Sequence, residues 1–201
     1  MIDVKFVYFD LGGVFFNWKP ALKDLSEHLH RPYEEVEAVF KKYDDDTCRG
    51  KISPSGLFKL FGEELNVSVD IQDPEEWWSD RFIPIKPTYD LAAELIKKYK
   101  VGLCTNVYAG VLNKIFQKGY VPELSYSTII ESCKIGVVKP EDEFFRIAQE
   151  KTGVSSHEIL LIDDSAVNVK KASEIGWNTI RFETLNPEDS VSVIKDALKV
   201  G

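Results

Sequence analysis

The chain has 201 residues, 44% hydrophobic and 12% aromatic, with 25 Lys and Arg against 33 Asp and Glu for a net charge of −8. That is enough apolar material for a sizeable core, as one domain or a core with a small satellite, and an acidic chain without a basic block is a poor match for nucleic acid. Three widely spaced cysteines, Cys48, Cys104 and Cys133, read as free thiols in a reducing compartment, and with no apolar run long enough to span a bilayer the expectation is a soluble, cytoplasmic protein with no membrane partner.

Residues 4–18, VKFVYFDLGGVFFNW, open as an apolar run without polar alternation and break at Asp10, followed by Gly12 and Gly13. This pattern predicts a strand buried on both faces that ends in a carboxylate at a glycine-permitted turn. The periodicity then becomes helical. Pro20 opens a segment with Leu22, Leu25 and Leu29 on one face; Pro32 opens another with Val36, Val39 and Phe40. Ser53-Pro54 and Asp73-Pro74 each pair a capping residue with proline at the first helical position. Four short helices before the next strand predict a cap subdomain over residues 18–85, inserted into a core made of residues 1–17 and 86–201, with Pro84 and Pro87 marking the return.

From residue 88 helices and apolar runs alternate. Helices are expected near 88–98, 108–118, 141–151, 165–175 and 187–199, and strands at 101–104, 127–130, 159–162 and 178–182. Strands joined by helical crossovers imply an α/β fold with a doubly wound parallel sheet. Polar groups follow the strands: Asp10, Thr105-Asn106, Asp163-Asp164, and Lys139 in the turn GVVKP. Parallel strands direct their C-terminal ends to one side, so these groups are expected to converge on one crevice. Carboxylates crowded there require a cation, and an all-oxygen donor set suits Mg²⁺. An acid free to attack, a metal, a hydroxyl and a lysine together make a phosphoryl-transfer site.

At these residues the chain resembles the haloacid dehalogenase (HAD) superfamily of hydrolases. Four motifs occur in the family's order, VYFDLGGV, GLCTN, GVVKP and LLIDDSAVN, spanning most of the chain. The resemblance implies a Rossmann-like core and a Mg²⁺-dependent phosphatase acting on a small phosphomonoester, with sugar phosphates among the candidates. It implies Asp10 as nucleophile, Thr105 and Asn106 as phosphate-binding donors, and Lys139 as the clamp on phosphate and nucleophile. Asp164 with neighbouring Asp163, Asp10 and the Gly12 carbonyl would hold the metal. The segment Arg49-Gly50-Lys51-Ile52-Ser53 resembles a cap signature of the branch that includes bacterial α-glucose-1-phosphatase and the phosphatase domain of soluble epoxide hydrolase. Most phosphatases of this family carry a second Asp two residues after the nucleophile, where this chain has Gly12. Loss of that acid/base would cost about 10² to 10⁴ in rate, and a glycine in this turn is expected to hold a positive φ.

Other functions compete with this reading. A halide-displacing hydrolase also lacks the second Asp but has no need of an acidic pair such as Asp163-Asp164; a phosphorylation receiver domain has the pair early and no helical insert; a weakly active or inactive relative follows if Gly12 abolishes turnover. Trp77 and Trp78 read as packing residues of the insert, Arg49 and Lys51 as solvated charges, and Asp44-Asp45-Asp46 as a solvated helix end. The three histidines lie outside the motifs.

Overall fold

The computed structural model describes residues 3–200. Strand β1 (Phe6–Phe9) lies at the centre of a five-stranded sheet, flanked by β4 (Lys100–Thr105) and β6 (Ile159–Asp163), with β5 (Thr128–Glu131) and β7 (Asn178–Arg181) at the edges. Every pairing is parallel, with Phe9 opposite Leu103 on one side and Ile162 on the other. Val7 and Phe9 pack into one apolar cluster and Phe6 and Tyr8 into a second, so both faces are covered. That is why β1 carries no polar alternation.

The crossovers are α5 (Pro87–Leu95), α6 (Val111–Gln117), α8 (Asp142–Thr152) and α9 (Ala166–Glu174), with α10 (Pro187–Leu198) last. Helix α6 starts three residues later than its periodicity suggests because Gly110, at φ 81°, turns the chain just before it. Two features have no sequence signal. A two-residue antiparallel pair, β2 (Phe16–Asn17) with β3 (Ile83–Pro84), closes the base of the insert, and a single turn, α7 (Ser132–Ile135), follows β5.

Helices α1 (Lys19–His28), α2 (Tyr33–Cys48), α3 (Pro54–Leu65) and α4 (Pro74–Ser79) lie between β2 and β3. The anticipated caps form: Ser53 Oγ accepts from the Gly56 amide at 3.0 Å and Asp73 Oδ1 from the Glu76 amide at 2.8 Å. Their apolar faces, including Leu22, Val36, Phe61 and Trp78, join the same apolar cluster as Val7 and Phe9. No helix among the described residues is long and apolar enough to cross a membrane.

Candidate active site

The chain leaves β1, β4 and β6 at the same edge of the sheet, which brings Asp10, Thr105, Lys139 and Asp164 onto the lining of one cleft of about 380 Å³. One carboxylate oxygen from each of Asp10, Asp163 and Asp164 lies within 4.8 Å of the others. Asp10 directly follows β1, and its amide donates to the Ile162 carbonyl at 2.9 Å. Gly13, at φ 76°, turns the chain away; a Cβ there would lie 2.2 Å from Asp164 Oδ2, so position 13 excludes a side chain on both backbone and steric grounds. The positive φ expected at Gly12 belongs instead to Gly13. The obstacle at Gly12 is packing, since a Cβ there would meet Trp18 Cδ1 at 3.0 Å.

Lys139 is buried, its ammonium 3.0 Å from Asp10 Oδ1 and 2.6 Å from Asp163 Oδ2. Burial alone would lower its pKa, but Asp10 and Asp163 outweigh that and hold it above the ordinary lysine range. Asp163 is fully buried. Its Oδ1 accepts from the Ser165 amide at 2.9 Å, and Asn168 Nδ2 lies 3.1 Å from both carboxylate oxygens. Asp163 is therefore occupied by protein donors and positions Lys139, whereas the Asp164 carboxylate accepts no hydrogen bond from another described residue, its main-chain carbonyl alone accepting from Arg181 Nε at 3.2 Å. Burial pushes Asp10 up to about 7 against the pull of Lys139, with Asp163 and Asp164 adding to the rise. Asp164 rises to about 6, again chiefly through burial and then through Asp163. The Gly12 carbonyl accepts no backbone hydrogen bond among the described residues. Uncompensated, crowded, all-oxygen groups of this kind fit a hard divalent cation.

Thr105 is buried, and its hydroxyl donates to the Asn106 carbonyl at 3.3 Å. The side chain of Asn106 departs from expectation. Its Nδ2 donates to the Lys139 carbonyl and its Oδ1 accepts from the Lys139 amide, both at 2.9 Å. That amide is a two-point clamp on the lysine backbone, which leaves the second Nδ2 hydrogen and the main-chain N–H of Asn106 to meet a phosphate.

Two further readings are corrected. Arg49 is not a solvated charge: its guanidinium bridges Asp45 at 2.7 Å and Glu141 at 2.5 Å, tying α2 to the residue before α8. Asp44 is not a solvated helix end, because burial raises its pKa while the Tyr108 hydroxyl donates to it at 2.6 Å. Both contacts join residues more than sixty positions apart, which no local pattern reports. Asn168 was visible in the fourth motif but carried no signal of its role.

No family model matches the chain. The sesquiterpene phosphatase astK of Aspergillus oryzae is 26% identical over 181 residues, covering 86% of each chain. A HAD-like family hydrolase from Porphyromonas gingivalis superposes with a TM-score of 0.79 at 20% identity, over 99% of this chain and 100% of that one. A HAD family enzyme from Bacteroides thetaiotaomicron, in complex with magnesium and inorganic phosphate, gives 0.74 at 24% identity over 90% and 95%.

Proposed function

We propose that the chain is a haloacid dehalogenase-like phosphatase and that it hydrolyses a small phosphomonoester through an aspartyl-phosphate on Asp10, with helices α1 to α4 acting as the cap; the likeness to astK and to the HAD-like fold supports this reading. The observation that carries this reading is the Lys139 ammonium held between Asp10 and Asp163, beside a carboxylate, Asp164, that no protein donor occupies. Here the buried cation touches the very acid that has an exit to the cleft.

Asp10, Asp164 and the Gly12 carbonyl are the groups that would hold Mg²⁺; when bound, the ion supplies positive charge against the phosphoryl oxygens and the crowded carboxylates. That the Bacteroides enzyme holds magnesium and phosphate supports this assignment. Lys139, the Thr105 hydroxyl and the Asn106 N–H bind and orient the phosphoryl group. Asp10 attacks phosphorus, and the ester P–O bond breaks as the acyl–phosphate bond forms. The departing alkoxide takes its proton from water, because position 12 carries no acid. Water then attacks phosphorus, releasing inorganic phosphate and restoring the Asp10 carboxylate.

The test is phosphate release from p-nitrophenyl phosphate with and without Mg²⁺, together with acid-quench trapping of phosphorylated protein. Turnover should need Mg²⁺ and vanish in Asp10→Asn. Full turnover after exhaustive chelation, or a near-normal rate in that variant, would remove the reading.

A further inference from the structure

The cleft has two unlike ends. The floor is charged, but the lining also carries Phe16, Phe40, Trp78 and Phe82, together with Val111 and Ile115 of α6. The aromatic rings brace one another, Phe16 on Phe82 at 4.7 Å and Phe40 on Trp78 at 6.0 Å, both stacked. They are a set surface that cannot rotate away to expose polar groups. The charged insert residues on the lining are Lys19 and Asp44, and Asp44 Oδ1 already accepts from Tyr108. A sugar bound here would lay several hydroxyls against hydrocarbon without partners, each a loss of affinity. An apolar chain would lose nothing and would remove the walls from water.

We propose that the ester's leaving group is apolar: the site takes a phosphomonoester of an aliphatic or aryl alcohol and discriminates against sugar phosphates. This rests on the phosphatase reading above and deepens it. The phosphate is held at the floor by Lys139 and Thr105, and the tail runs along the Phe16–Phe82 and Val111–Ile115 walls.

The experiment measures kcat/KM for ethyl, butyl and hexyl phosphate, glucose 6-phosphate and p-nitrophenyl phosphate, all with Mg²⁺. The alkyl and glucose esters share a primary alkoxide leaving group, so differences among them report the tail. Burial of each methylene should raise kcat/KM by about fourfold, and hexyl phosphate should exceed glucose 6-phosphate by at least a hundredfold. Val111→Thr, which keeps the volume but adds a hydroxyl, should flatten the chain-length series. Inhibition by hexylphosphonate and methylphosphonate, which cannot be hydrolysed, reads tail binding without turnover, and the hexyl compound should bind more tightly. A flat series, equal phosphonate inhibition, or a preference for glucose 6-phosphate, with p-nitrophenyl phosphate still turned over, overturns the apolar site and leaves the phosphatase reading standing. No Mg²⁺-dependent turnover of any ester overturns both.

Discussion

The indole of Trp18 stands against the bare face of Gly12, with Cδ1 3.0 Å and Nε1 3.4 Å from the point where a Cβ would project. Trp18 is itself stacked on Phe40 at 5.5 Å, so it yields only by disturbing that wall. The missing acid of position 12 and the aromatic wall are thus one packing arrangement. Aryl phosphates, whose phenolate departs without proton assistance, should react much faster than alkyl phosphates of similar size. Gly12→Asp should help the poor leaving groups selectively, by less than the 10² to 10⁴ that general acid catalysis can supply, because the new side chain must displace the indole; Gly12→Asp with Trp18→Phe should recover more of the gain. The measurement is log rate against leaving-group pKa under single-turnover conditions, and a flat wild-type plot would show that another group already donates the proton.

Asp10→Asn should abolish turnover and shift the pH dependence of the metal-free protein's stability, although it also takes one of the two carboxylates from the Lys139 ammonium. The folded state holds the Asp10 pKa near 7, above the ordinary carboxylate value, so ionisation disfavours folding at high pH and the penalty fades as pH falls through 7. Asparagine removes this pH-dependent penalty, while the loss of a Lys139 partner is the same at both pH values. The variant's stability relative to the wild type should therefore be higher at pH 8 than at pH 5 by about 2 kcal/mol, read from urea denaturation in the presence of chelator. An equal difference at both pH values would contradict the origin assigned to the shift.

Asn106→Ala should cut activity by releasing the Lys139 backbone. The two hydrogen bonds to the Lys139 backbone disappear, which costs about 1–2 kcal/mol of stability and loosens the ammonium relative to Asp10. The fall should lie in kcat more than in KM, because orientation at the reacting centre is lost. A variant that unfolds at the wild-type midpoint and turns over normally would show that the clamp has no function.

The centre of the sheet was legible because β1, β4 and β6 are short, largely apolar runs bounded by helical periodicity, and the polar exits were legible because parallel strands place them on one side by geometry alone. The division of labour inside those motifs was not. Asp163 and Asp164 are adjacent and identical in the sequence; only the fold shows that one is enclosed by Ser165, Asn168 and Lys139 while the other faces the cleft. Asn106 reads as a phosphate donor until Lys139, thirty-three residues away, is seen to occupy it. Trp78 was readable as a packing residue, and it does pack on Phe40, yet its other surface lines the cleft, which depends on how α2 and α4 sit over the core.

That difference between the two adjacent aspartates gives the last prediction. Asp164 carries a pKa raised to about 6 because burial and Asp163 outweigh the pull of Lys139 and Lys19, so Asp164→Asn should leave the metal-free fold as stable as the wild type or more so, by about 1–2 kcal/mol at pH 8 after allowing for its partial exposure. It should also lose the protein's response to Mg²⁺. In the wild type, binding to the folded state alone raises stability by RT ln(1 + [Mg²⁺]/Kd), so the melting temperature should climb with added metal; in Asp164→Asn that climb should vanish. Asp163→Asn should behave in the opposite way. It takes one of two carboxylates from a buried ammonium and should cost about 2–4 kcal/mol, while the ion's own donors, Asp10, Asp164 and the Gly12 carbonyl, stay in place and the climb with Mg²⁺ persists. Thermal denaturation of the three proteins across a Mg²⁺ titration separates the roles. A Mg²⁺ response retained in Asp164→Asn and lost in Asp163→Asn would exchange the two assignments and make Asp163 the metal's ligand.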